Sequence, residues 1–158
     1  MLIRFFIILC CGLLLAKQVP TLSRFASLRS NSVHTHVGPG NNYQIEWRLI
    51  RQGLPVEIIA EFDTWRRIRD HQGTEGWVHK SLLSGKRTII VMGSIQNLYE
   101  KPDLQSTVVA RMEPGVIATI TEVQPNWCKV DIRNDQGRFK GWVSRKDVWG
   151  IYANESKI

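Results

Sequence analysis

Cysteine is nearly missing from this chain. Of three cysteines in 158 residues, Cys10 and Cys11 lie in the apolar N-terminus, which leaves Cys128 alone beyond it. One thiol forms no internal disulfide, so a disulfide scaffold and a cysteine-based zinc site are both excluded. Such an unpaired thiol in an exported chain is expected to be buried or else paired between chains, and the alternating run Cys128, Val130, Ile132 favours burial in a strand. Histidine is missing from the second half: His34, His36, His71 and His79 all precede residue 80. Cys128 therefore has no histidine in its own half to act as a base, and a nucleophile needs one within hydrogen-bond reach. His34 and His36 would share a strand face, but no cysteine pair or nearby carboxylate completes the three or four ligands zinc takes. No phosphate-cradling glycine loop and no paired acid–base carboxylates stand out. A metal, a cofactor and enzymatic activity are accordingly not expected.

Long hydrophobic runs are also scarce. The single one, Phe5–Ala16, follows Arg4 and stops at Lys17. One positive charge and twelve largely apolar residues have the layout of a secretory signal peptide, and fall short of the roughly 20 residues of a transmembrane helix. Residues 1–16 are thus expected to direct export, to the periplasm, with 17–24 as a tether. Ala16 suits the last position before the cut, but Leu14 stands where a small residue is preferred, so an uncleaved anchor is the alternative. Cys10 and Cys11 follow bulky residues inside the run, which speaks against lipid modification. Helical periodicity is absent beyond this segment.

The composition that remains is that of a folded protein, with 43% hydrophobic and 22% charged residues. The formal charge of +7 falls only to +6 without residues 1–16, since Arg4 alone is lost. A basic chain suits an anionic partner such as nucleic acid, a membrane surface or an acidic polymer, although charge also serves solubility. Export argues against nucleic acid, and membrane contact is expected only through the N-terminal segment if it is retained.

Most informative is a repeat. Gly76-Trp77-Val78 returns as Gly141-Trp142-Val143, each copy preceded by another tryptophan, Trp65 or Trp127, and by Gly53 or Gly115. The glycines and the leading tryptophans are both 62 apart, whereas Trp77 and Trp142 are 65 apart. Three extra residues therefore fall in the second copy, around the Asn134–Lys140 hairpin, where insertions are tolerated. Within each copy, short strand-like runs alternate with turn chemistry. Val33–Val37 precedes the turn Gly38-Pro39-Gly40-Asn41-Asn42, and Val56, Ile58, Ala60 and Phe62 fall on one face of a period-two run. Short strands at such spacing argue an all-β protein, and about 60 residues per unit favour small five-stranded barrels over sandwiches. The expected units are 25–86 and 87–152, with a tail over 153–158; Val148–Tyr152 is expected to fill the joint.

The ordered elements resemble the bacterial Src-homology-3 (SH3) domains, in the tandem, exported form of Gram-negative envelopes. They are Val33–Gly40, Gly53-Leu54-Pro55-Val56, Trp65-Arg66-Arg67-Ile68 and Glu75-Gly76-Trp77-Val78, then Asn97-Leu98-Tyr99, Glu113-Pro114-Gly115, Trp127-Cys128-Lys129-Val130 and Gly141-Trp142-Val143. Where the family's first motif reads Asn-apolar-Arg, this chain has His34-Thr35-His36, and the second copy has Tyr99 in the arginine position. The resemblance implies non-catalytic binding of cell-wall polymer or of an envelope protein or peptide, in a shallow groove beside the long turn-rich loop. In the first unit the groove candidates are Tyr43, Trp47, Trp65 and Trp77, with Arg66, Arg67 and Arg69 nearby. Aromatic faces stack on sugar rings or peptide side chains, and arginines fork onto carboxylates. Trp65 and Trp77 have counterparts in the second copy, so the alternative for them is sealing each small core. Tyr43 and Trp47 have none and are the preferred binding residues, which places the expected site in the first unit.

Overall fold

The computed structural model describes residues 23–157. The expected signal peptide and most of the tether lie outside the described residues; at the tether's end, Arg24 already begins a strand. Alternating apolar residues bounded by turns give β1 (Arg24–Leu28), β2 (Ser32–His36), β3 (Ile45–Ile50), β4 (Pro55–Phe62), β5 (Trp65–Arg69), β6 (Glu75–His79) and β7 (Leu83–Ser84). The second unit repeats the series as β8 (Thr88–Val91), β9 (Gln96–Tyr99), β10 (Val108–Met112), β11 (Ile117–Val123), β12 (Trp127–Asn134), β13 (Gly137–Ser144) and β14 (Val148–Trp149). A 3-10 turn precedes the last strand of each, at Lys80–Leu82 and Arg145–Asp147.

Each unit is one antiparallel sheet, and the strand orders β3-β2-β6-β5-β4-β1-β7 and β10-β9-β13-β12-β11-β8-β14 correspond strand for strand. The sheets have seven strands rather than five. The lead-in strand and the two-residue strand after the 3-10 turn join the expected set because β1 and β8 would otherwise leave backbone N–H and C=O groups unpaired.

The glycine of the doubled Gly-Trp-Val has a packing cause. A Cβ on Gly76 would stand 2.6 Å from Thr35, and one on Gly141 would stand 2.6 Å from the Tyr99 carbonyl oxygen. The final long strand of each unit thus crosses its neighbour too closely for a side chain.

The period-two reading of β4 fails at one residue. The register against β5 shifts between Ile58 and Ala60, so Ile58 pairs with Ile68 inside while Ala60 and Phe62 turn to the outer face with Arg67 and Trp65. Phe62 is consequently 61% exposed. An added residue in one strand of a pair moves every later side chain to the opposite face. The three extra residues of the second copy lengthen its last hairpin. β12 and β13 pair from Trp127↔Ser144 to Asn134↔Gly137 around a two-residue turn. In the first unit a five-residue turn is held by Asp70, whose Oδ1 accepts from the N–H groups of Gln72 and Thr74 at 2.9 and 2.8 Å.

Both cores are aliphatic. The first gathers Leu28, Val33, Val56, Ile58, Ile68 and Val78; the second gathers Ile89, Leu98, Ile120, Val130 and Val143 around the fully buried Cys128. No tryptophan belongs to either buried set. The units are joined by shared packing: Ile90, on β8 of the second unit, is buried in the first core, with Ile117 and Trp149 packed against it. Phe25 meets Trp149 edge-on at 4.9 Å and Tyr152 at 4.6 Å. The Tyr152 hydroxyl donates to Glu57 at 2.9 Å, and Arg87 forms a two-pronged pair with Glu155. The Val148–Tyr152 segment thus fills the joint, as its apolar sequence predicts.

Candidate binding groove

Pairing fixes which candidate side chains share a face. In the first unit Trp65 lies opposite His79, Arg67 opposite Trp77, and Arg69 opposite Glu75, while Trp77 is also opposite His36. Trp65, Trp77, Arg67 and Arg69 are therefore brought together on the outer face of the sheet. Arg66 faces the other way with Val78, and Trp47 pairs with the inward-facing Thr35 on edge strand β3, where it is 52% exposed. Tyr43 sits in the β2–β3 loop with its ring against Gly38, where a Cβ would be 2.4 Å away. The structure thus divides the seven candidates between two faces and a loop.

Charge pairing occupies the arginines. Arg67 and Arg69 both reach Glu75, at 2.8 and 2.7 Å, and Arg69 lies 3.6 Å from Glu57. The Arg69 guanidinium is raised above its ordinary pKa, chiefly by the hydrogen bond to Glu75. Arg66 is 3.2 Å from Glu61 and donates to the carbonyls of Asp63 and Trp65. Trp65 is closed off too. His36 and His79 stand edge-on to its ring at 5.3 and 5.8 Å, and it is 8% exposed. His36 Nδ1 lies 2.8 Å from the Tyr43 carbonyl oxygen; a carbonyl only accepts, so this nitrogen carries the proton.

The second unit has the same frame with different side chains. Trp127 takes the place of Trp65, Tyr99 that of His36, and Ser144 that of His79. Tyr99 and Trp127 meet edge-on at 5.6 Å, but the small Ser144 leaves one side of the indole open. The result is a groove of about 630 Å³ running past Tyr99 and Trp127. Leu104 from the β9–β10 loop, Asn126 from the β11–β12 turn, and Ile151 also line it. Arg145 builds its wall. This buried guanidinium donates to the carbonyls of Gln124 and Pro125 at 2.8 and 3.2 Å, and to that of Tyr152, tying the turn to the tail. Asn97 and Asn126 supply amides, Ser144 a hydroxyl, and Trp127 and Leu104 apolar surface. That mixture suits a sugar ring or a short peptide, because aromatic faces take the apolar side and a few polar groups fix orientation.

Tyr99, Trp127, Asn126 and Ser144 were not among the sequence candidates. The available signal was the exchange of His79 for Ser144 across the repeat, which uncovers a ring present in both copies. Cys128, beside Trp127 in sequence, points the opposite way into the core; burial pushes its thiol up to about 12, which keeps it protonated and unreactive near neutral pH.

A family model described as "Bacterial SH3 domain" matches the chain twice, over residues 30–85 and 93–150. No curated protein sequence matches significantly. Among solved structures, NlpC2 from Trichomonas vaginalis is similar at 13% identity and a TM-score of 0.37, covering 85% of this chain and 51% of that one. NlpC1 from the same organism gives 14% identity and 0.34, covering 85% and 48%. An NLPC/P60 family protein from Bacillus cereus gives 12% and 0.34, covering 78% and 55%. The chain spans about half the length of these structures.

Proposed function

Since the chain belongs to the bacterial SH3 domain family, through two domains in tandem, we propose that it is a non-catalytic binding module of the cell envelope. Its second barrel holds the ligand, a segment of peptidoglycan, in the Tyr99–Trp127 groove. The observation that carries this reading is the contrast between equivalent tryptophans, Trp65 covered by two histidines and Trp127 open to a 630 Å³ groove. The family resemblance supplies the ligand class, and the N-terminal apolar run supplies the route to the periplasm.

Co-sedimentation with purified wall sacculi tests it. Wild type is expected in the pellet, and Trp127→Ala is expected to lower the bound fraction at least tenfold in apparent affinity while Trp47→Ala leaves it unchanged. Equal binding by wild type and Trp127→Ala would remove the groove from the site.

A second reading has its own observation. Edge strand β3 exposes Ile45, Trp47 and Ile50, at 50, 52 and 65%, and among the described residues it has a strand neighbour on one side only. Such an edge accepts an added strand from a protein partner. This adaptor reading expects a specific envelope protein cross-linked through β3, lost in Trp47→Ala, with no sacculus binding.

A further inference from the structure

The basic charge of the chain is not spread evenly. Where the two units meet, an open trough of about 920 Å³ is lined by Arg29, Arg51, Lys86, Arg133 and Arg138 and by one carboxylate, Asp131. Asp131 is already engaged: Arg138 Nε lies 3.0 Å from both of its oxygens and Lys140 Nζ 3.8 Å from one, and the Arg138 hydrogen bond holds the carboxyl below its ordinary pKa. Among the described residues no carboxylate pairs with Arg29, Arg51, Lys86 or Arg133, unlike the arginines of the first barrel's outer face. Arg29 spends Nε and one terminal nitrogen on the Leu83 carbonyl, at 3.3 and 3.1 Å, which fixes its guanidinium at the trough wall with donors to spare.

Arg51 adds an independent sign. Its φ is 134°, a backbone region that residues with a Cβ rarely adopt, and it stands two positions before Gly53 with φ 80°. Its guanidinium reaches across the joint, within 3.6 Å of where a Cβ on Gly115 would lie. The turn is held on both sides: the Arg51 N–H donates to the Asn31 carbonyl at 3.1 Å and the Arg51 carbonyl accepts from the Leu54 N–H at 3.2 Å, which fixes where the side chain leaves the backbone. A concave surface lined by one sign of charge focuses its field and gathers counter-ions.

We propose that this inter-barrel trough binds an extended anionic polysaccharide. Three of the four unpaired cations, Arg29, Arg51 and Arg133, are arginines, whose planar forks match carboxylate or sulfate oxygens two at a time. Thr119 and Asn134, also in the lining, offer a hydroxyl and an amide to sugar hydroxyls. Among the described residues no aromatic side chain lines the trough, so they offer no stacking platform of the kind on which single-stranded nucleic acid is held. Its concavity suits a chain rather than a flat lipid surface. The site is separate from the Tyr99–Trp127 groove, with no lining residue in common.

Fluorescence anisotropy of the full chain with a labelled heparin hexasaccharide tests the proposal, at low and at raised salt. Binding is expected to weaken with salt, as counter-ion release requires. Arg133→Gln and Arg51→Gly are each expected to weaken it about tenfold, the loss of one charge-assisted contact. Arg51→Gly relieves the φ of residue 51, so it is expected to unfold no earlier than wild type, and its loss of binding is then not a loss of fold. Arg67→Gln, paired with Glu75 on the outer face, is expected to bind as wild type does. Absence of hexasaccharide binding would overturn the proposal, as would affinity unchanged by both trough substitutions. Tighter binding of a labelled oligothymidylate or of phosphatidylglycerol vesicles through the same arginines would overturn it in favour of nucleic acid or a membrane.

Discussion

Thr35 shows how one side chain reports on the frame around it. It is 1% exposed, faces inward opposite Trp47, and its hydroxyl has no hydrogen-bond partner. The same side chain lies against Gly76, which explains why that position carries no Cβ. A buried hydroxyl without a partner costs about 1–3 kcal/mol, whereas a methyl group of the same shape costs nothing in desolvation. Thr35→Val is therefore expected to raise stability by about 1 kcal/mol, read as a higher urea midpoint with an unchanged slope. A lower midpoint would mean that the hydroxyl finds a partner after all. In the second unit the equivalent crossing presses Gly141 against a backbone oxygen, Tyr99 O, so no side-chain exchange there relieves it.

At the scale of elements, the hairpin β5–β6 and its counterpart β12–β13 are one design with two sets of outer-face residues. His79 against Trp65 and Ser144 against Trp127 make the difference between a covered and an open indole. Ser144→His is expected to close the second groove as His79 closes the first. Trp127 emission should shift to the blue and sacculus affinity should fall about tenfold, a steric loss comparable with removing one anchoring contact. Undiminished affinity with a blue shift would show that ligand binds elsewhere. The strands themselves were legible in the sequence because alternation and turn residues are local signals, as in Val33–Val37 and the Gly38–Asn42 turn. The burial of Cys128 was legible for the same reason. The outward flip of Phe62 was not, since the bulge at Ile59 exists only in the pairing with β5. Nor was the pairing of Arg67 and Arg69 with Glu75, which needs the register of β5 on β6. The groove escaped for a related reason: Tyr99, Asn126 and Ser144 are distant in sequence and converge only when the sheet curls.

For the whole molecule the decisive residue is Ile90. It belongs by sequence to the second unit, yet it is 3% exposed within the core of the first. A unit of about 60 residues is marginal alone, and here one of its core side chains is supplied by its neighbour. The two barrels are thus expected to unfold in a single calorimetric transition, with equal van't Hoff and calorimetric enthalpies. Ile90→Ala, which removes about 2–4 kcal/mol of packing, should lower that one midpoint; two resolved transitions would show independent barrels.

The same joint and core set the response to alkali. Burial pushes the Cys128 thiol from its ordinary 9.0 up to about 12. Burial, and then the hydrogen bond to Glu57, also raises the Tyr152 hydroxyl above its ordinary 10.0. Both groups are protonated in the folded protein at a pH where they ionise once unfolded, so the unfolded chain releases protons as pH rises. Their contribution to stability is complete below about pH 9 and is lost progressively above it, the thiol's share being exhausted near pH 12. Urea midpoints are therefore expected to be level from pH 7 to about 8.5 and to fall steadily from there to pH 11. Cys128→Ala, less stable at pH 7 because it leaves a small cavity, is expected to fall less steeply over the same range. An equal slope in that variant would place the alkaline loss outside the second core.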